Sequence, residues 1–227
     1  VIDVSTSLSF IGKAVLLMLV QLGGLGIMTL VTFIGLLIGR KFGIFGVEAM
    51  RQSTGEENTQ QAKKILTIIV LGTFAIEGSG TILLSFFYYN KMGFGLSQSL
   101  RYGLFISVNA FCNAGFSLHQ GSLSQFANEA FPLMIISILI IIGGLGFSLL
   151  SNVRRKLLSK KKFPLAPYES TVLSCTVLLC IGGALLFLFF EKNGVLDGLD
   201  FSERAYNAWF QSVTARTAGF NSLDLSA

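Results

Sequence analysis

The chain has 227 residues, 52% of them apolar and only 13% charged, with 17 basic against 12 acidic groups. A soluble domain carries about 25% charged residues, so a water-soluble fold of this size is excluded. High hydrophobicity excludes disorder, and only 3 Cys exclude a disulfide-stapled secreted domain. What remains is an all-α polytopic membrane protein whose 25 Gly need a reason, because Gly weakens ordinary helices.

A spanning helix needs about 20 mostly apolar residues. The first candidate runs from Phe10 to Gly39, with Lys13 near its outer end. A basic stretch follows, with Arg40, Lys41, Arg51, Lys63 and Lys64. The second span is Ile65 to Tyr89 and holds Glu77 at its middle. Next, Tyr102 to Phe116 is apolar but too short to cross, and Asn109 and Asn113 make it too polar. It reads as a re-entrant half-helix, which is allowed where protein or a water-filled cavity covers the free backbone. The third span, Phe131 to Leu150, leads to a second basic stretch with Arg154, Arg155, Lys156, Lys160, Lys161 and Lys162. The fourth, Thr171 to Phe190, precedes a second half-helix, Ala205 to Phe220, with Gln211, Thr214 and Arg216.

The two basic stretches hold 11 of the 17 basic residues, and the positive-inside rule makes both cytoplasmic. They are read as topology, not as a nucleic-acid site. Both half-helices then dip in from outside, and both chain ends lie outside. A chain that begins outside with neither a starting Met nor a signal peptide is expected to be part of a longer one.

The chain also repeats itself. Gln21-Leu22-Gly23-Gly24-Leu25-Gly26-Ile27 matches Ile141-Ile142-Gly143-Gly144-Leu145-Gly146-Phe147, and Ala114-Gly115-Phe116 matches Ala218-Gly219-Phe220. The unit is outer helix, half-helix, Ala-Gly-Phe turn and inner helix with Gly-Gly-Leu-Gly. Residues 1–62 then hold the inner helix of a first unit and its cytoplasmic loop. Residues 63–162 hold a complete second unit, and 163–227 the outer helix, half-helix and turn of a third. Helix, pore helix, filter and helix is the plan of a potassium-channel subunit, and closure around an axis suggests four units in the parent chain.

A dehydrated potassium ion needs a ring of oxygens, which backbone carbonyls of a short turn can supply. The candidate filter stretches are Cys112-Asn113-Ala114-Gly115-Phe116 and Arg216-Thr217-Ala218-Gly219-Phe220. Gly115 and Gly219 suit such turns because Gly tolerates positive φ. The half-helix C-termini carry partial negative charge toward mid-membrane, which favours a cation. Asn113 and Thr217 are expected to hold the turns from behind, and Phe116 and Phe220 to wedge them against inner helices.

Arg216 is expected to point away from the axis toward a carboxylate or carbonyls, since an unpaired charge at membrane depth is costly. Glu77 is expected to brace the neighbouring half-helix, facing Arg216, a backbone amide or a watery crevice. Asp3 and Asp224 read as loop acids at the outer mouth. The Gly-Gly-Leu-Gly sites are expected inside inner helices, allowing close packing or a bend. A phosphate loop would need a preceding strand and a following Lys, and neither is offered. His119, the only His, reads as part of a solvated turn and rules out His-based catalysis. Cys112, Cys175 and Cys180 lack metal spacing and read as reduced thiols. No enzyme chemistry and no cofactor is expected.

The segments 109–117, 211–224 and 21–29 resemble the second filter, third filter and first inner helix of the Ktr/Trk potassium transporters, within them the KtrB-type (NtpJ-like) pore subunits. The resemblance covers essentially the whole chain and departs at Cys112, where the family has Asn. It implies potassium translocation across the cytoplasmic membrane through carbonyl filters centred on Gly115 and Gly219, with sodium as a coupling or activating ion. It also implies a homodimer in membrane lipid and a cytosolic nucleotide-binding ring of the KtrA type. Two other readings stay open: a non-transporting membrane component of an ion-pumping ATPase, and a carrier for another small cation such as ammonium.

Overall fold

A computed structural model describes residues 4–26, 59–145 and 167–224, and among these the secondary structure is helical throughout. In chain order the helices are α1 (Val4–Ser7), α2 (Phe10–Gly24), α3 (Thr59–Lys91), α4 (Leu96–Phe111), α5 (Ala130–Gly144), α6 (Pro167–Phe190) and α7 (Phe201–Thr217). A short 3₁₀ turn, Ser124–Phe126, lies between α4 and α5.

Local sequence explains several helix ends. Ser9 starts α2 by accepting the Gly12 N–H at 3.2 Å. Asp200 starts α7 with a reciprocal capping box, the Asp200 N–H donating to Glu203 Oε2 at 3.0 Å. The α2 start at Phe10 is the expected one, whereas the Asp200 cap places the α7 start at Phe201 rather than Ala205; α4 likewise begins at Leu96 rather than Tyr102. Both short helices stop before their Ala-Gly-Phe triplets.

Among the described residues, two helices are long and apolar enough to cross a membrane: Thr67–Lys91 within α3, and α6. The other two expected spans are shorter in the described residues. Both α2 and α5 have 15 residues, about 22 Å of helix against a hydrocarbon core of about 30 Å. They end at Gly24 and Gly144, with Leu25 and Leu145 as C-caps and Gly26 at φ +76°. The Gly-Gly-Leu-Gly motifs therefore sit at helix C-termini, which corrects the expectation of an interior position. Gly146, Asp3, Arg40, Lys41, Arg51 and the basic residues from Arg154 to Lys162 lie outside the described residues. Lys63 and Lys64 fall within α3 rather than in a loop.

The packing follows the chain. α3 lies against α4 and α5, α4 against α2 and α5, and α7 against α5 and α6. Leu84, Ile106, Leu133, Ile136, Ile140, Phe210 and Phe220 are fully buried at the centre. One end of α3 carries an aromatic box. Tyr88 stacks on Phe94 and His119, and Phe126 meets Phe87, Tyr88 and His119 edge-on. His119 is buried here and shares a 2.8 Å hydrogen bond with the Tyr88 hydroxyl, so it is not a solvated turn residue. Desolvation pushes its imidazole down to about 4.

Candidate functional site

The two Ala-Gly-Phe turns meet. Gly115 has φ +72° and Gly219 φ +78°, the left-handed region in which glycine is preferred. A Cβ on Gly115 would strike the Ala218 carbonyl oxygen, so the two backbones touch at the first glycine. Asn113 is also left-handed, at φ +53°, which Asn tolerates better than most residues. Thr217 Oγ1 donates to Asn113 Oδ1 at 2.9 Å, tying together the two positions that precede Ala-Gly. The joint continues past the turns, where the Leu123 N–H donates to the Asn221 carbonyl at 2.8 Å and the Asn221 N–H to Ser122 Oγ at 3.0 Å.

The two turns leave their helices differently. In α4 the Ala114 N–H reaches back to the Asn109 carbonyl at 2.9 Å. In α7 the Thr214 carbonyl accepts from both Ala218 and Gly219, and Thr214 Oγ1 accepts from the Phe220 N–H at 2.8 Å. Phe220 is fully buried, whereas Phe116 is 37% exposed, so only Phe220 acts as the expected wedge.

Behind each turn lies a matched joint between long and short helix. Ser107 Oγ of α4 donates to the Glu77 carbonyl at 2.7 Å, over the bare backbone of Gly80. Ser212 Oγ of α7 donates to the Cys180 carbonyl at 2.8 Å, over Gly183. Glu77 of α3 and Cys180 of α6 therefore occupy equivalent places. The side chains one step before Asn113 and Thr217 are Cys112 and Arg216, again equivalent. A Cβ on Gly24 would strike Cys112 Sγ, and a Cβ on Gly144 would strike Arg216 Nη2. Each second glycine of Gly-Gly-Leu-Gly thus receives the residue that opens the next turn. Gly143 presses on the Phe111 carbonyl, while a Cβ on Gly23 would meet nothing among the described residues.

The charges are arranged otherwise than expected. Glu77 is buried, and its Oε1 accepts from Gln21 Nε2 at 3.1 Å, with Cys112 Sγ at 3.8 Å. Its partners are thus α2 and the Gly115 turn, not Arg216. Arg216 Nη2 is buried with no hydrogen-bond partner among the described residues. Its positive charge acts on the Cys180 thiol. Asp224 is exposed beyond the second turn. Gln21, Thr214 and the Tyr88–His119 pair were not singled out as site residues. Gln21 had a signal, since its counterpart in the other copy of the motif is the apolar Ile141.

Cysteines 112, 175 and 180 are all free thiols. No cluster of three His, Cys, Asp or Glu side chains suited to a metal ion occurs among the described residues. Chemically, the arrangement offers backbone carbonyls at two touching glycine turns, with short-helix C-termini aimed at them.

Comparison with known proteins agrees with a transport setting. The chain is 32% identical to the Ktr system potassium uptake protein B of Vibrio alginolyticus, an alignment covering 100% of this chain and 50% of that protein. It is 34% identical to the potassium/sodium uptake protein NtpJ of Enterococcus hirae, over 94% of this chain and 46% of that one. Against the Ktr system potassium uptake protein B of Bacillus subtilis the identity is 29%, over 100% and 50%. The chain thus spans about half the length of the curated relatives it matches. All 227 residues match the family described as TrkH: Cation transport protein, a family of transporters and not of enzymes. With membrane-length apolar helices and a match from its first residue to its last, this chain belongs to the TrkH cation transport family.

Proposed function

We propose that the chain is the central part of a potassium-translocating subunit of the cell membrane, and that the two glycine turns are adjacent quarters of its selectivity filter. The observation that carries this is the contact of two left-handed glycines, Gly115 and Gly219, at the ends of two short helices. Carbonyls of 112–116 and 216–220 line the ion route, where they replace the ion's water shell. The C-termini of α4 and α7 add partial negative charge behind them. Residues 63–162 form one complete unit, 1–62 close a preceding one and 163–227 open a third, within a pseudo-fourfold parent. A Cβ on Gly23 would meet nothing among the described residues, where Gly143 meets the end of α4, which fits a neighbouring half-helix at that place.

In this reading Glu77 is a filter brace. It links the inner helix before the unit, through Gln21, to the Gly115 turn, through Cys112. The names of the relatives favour potassium, with sodium as a second ion in one of them, and a Ktr system. A homodimer with a cytosolic nucleotide-binding ring on the basic face extends the same reading.

The test uses the full-length parent in a strain lacking potassium uptake. Growth at low potassium should be rescued, and Gly219→Asp should abolish the rescue while the protein still reaches the membrane. Rescue that survives Gly219→Asp overturns the carbonyl-filter assignment.

A further inference from the structure

One face of α7 is polar and buried. Asn207, Gln211 and Thr214 follow one another at spacings of four and three, which puts them on the same side of the helix. Asn207 Nδ2 donates to the Ala127 carbonyl at 2.7 Å. Gln211 Nε2 reaches Ser222 Oγ at 3.5 Å. Thr214 holds the residues between: its carbonyl takes the Ala218 and Gly219 N–H groups, and its Oγ1 takes the Phe220 N–H at 2.8 Å. Residues 218–222 therefore run back along this face.

The bond to Phe220 also fixes a direction. In a trans peptide the N–H and the preceding carbonyl point opposite ways, and no peptide bond here is cis. The Phe220 N–H points at Thr214, so the Gly219 carbonyl points away from α7. The Gly219 N–H points at the Thr214 carbonyl, so the Ala218 carbonyl points away too. The Ala218 oxygen lies against Gly115 of the other turn, on the side these bonds require. Thr214 and Phe220 are both buried, so bulk water cannot replace a lost hydroxyl. The orphaned N–H would regain a partner only by turning its peptide, which takes the Gly219 oxygen with it. The Gly115 turn has no such clasp. Asn109, whose carbonyl takes the Ala114 N–H, sends its Nδ2 back to the Phe105 carbonyl.

We propose, on the filter reading above, that Thr214 is a positioning residue for ion discrimination, its hydroxyl holding the Gly219 oxygen on the ion route. Preference for potassium over sodium depends on the oxygens that replace the ion's water. A turned peptide withdraws one of them, and a poorer set of oxygens suits the smaller ion.

The experiment measures tracer uptake of rubidium and of sodium separately, at equal concentrations, in cells of a strain lacking potassium uptake that express the full-length parent. Uptake by cells without the parent is subtracted. Thr214→Val keeps the shape and removes the hydroxyl, and should lower the rubidium-to-sodium ratio on the order of tenfold. Thr214→Ser keeps the hydroxyl and should hold the ratio within about twofold. A variant that is only less stable loses both uptakes together and leaves the ratio unchanged. Size-exclusion elution reports folding, and Thr214→Ala is read instead if Thr214→Val does not fold. If Gly219→Asp abolishes uptake while folded Thr214→Val keeps the wild-type ratio, Thr214 sets no preference and the filter reading stands. Uptake that survives Gly219→Asp removes the filter reading itself. Equal loss in Thr214→Ser, a folded Thr214→Val that carries neither ion, or failure of both the Val and Ala variants to fold also overturns the role of Thr214 in discrimination.

Discussion

The turns around Gly115 and Gly219 have the same backbone plan and different surroundings. Behind the first, a carboxylate on the long helix faces a thiol on the turn, Glu77 beside Cys112. Behind the second, a thiol on the long helix lies near a guanidinium on the turn, Cys180 near Arg216. The first helix end is unwound through Asn109 and the second is clasped by Thr214. The serine-over-glycine joint and the left-handed glycine are kept in both. Backbone geometry is therefore the constrained part of the unit, and the side chains behind it are free to differ.

The largest expected effect tests whether the two glycines are equivalent. Gly115→Ala in the full-length parent should abolish potassium uptake and lower the melting temperature, because its Cβ strikes the Ala218 carbonyl. Gly219 has nothing within reach of a Cβ among the described residues, yet a fourth unit would crowd it as Ala218 crowds Gly115. Gly219→Ala should then be as damaging in the parent as Gly115→Ala. A folded, active Gly219→Ala protein would break the equivalence.

Next come the charges. Cys112→Glu puts a second carboxylate beside Glu77 and should lower thermal stability in detergent. Cys180→Glu puts a carboxylate near Arg216 and should raise it. Effects of the same sign would mean that the two places are not equivalent. Glu77→Gln should have a smaller effect, on the order of 1–2 kcal/mol, since one charge-assisted bond from Gln21 becomes neutral. If neither stability nor uptake changes, Glu77 braces nothing.

The smallest effect concerns His119, which has no counterpart behind the second turn. Its folded value of about 4 lies below the ordinary 6.5. The folded protein therefore binds fewer protons than the unfolded chain between these values. That contribution is complete above pH 6.5 and is lost as pH falls toward 4. Melting in detergent across this window should fall less steeply for His119→Phe than for the wild type. Parallel curves would show that His119 is not held neutral.

The order of the described helices was legible in the sequence because it is written in spacing. Apolar runs marked α3 and α6, and matched glycines marked the turns. Helix starts were less legible, since polar caps such as Asp200 and Glu203 lie outside the apolar run that signals a span. The helix ends at Leu25 and Leu145 fall inside apolar sequence, where the Gly-Gly-Leu-Gly motif allows a bend without fixing where the helix stops. Partners of buried polar groups were the least legible. Glu77 finds Gln21 across 56 residues, and His119 finds Tyr88 across 31, distances that periodicity does not encode.

The bond from Thr217 to Asn113 joins positions 104 residues apart, and that from Asn221 to Ser122 joins positions 99 apart. During synthesis Asn113 and Ser122 leave the ribosome well before Thr217 and Asn221. Asn113 Oδ1 and the Leu123 N–H must wait without these native partners until α7 and the turn after it are in place. Maturation of the first turn is thus set by translation of the second, and a nascent chain stalled between them should be the form that membrane chaperones and proteases recognise.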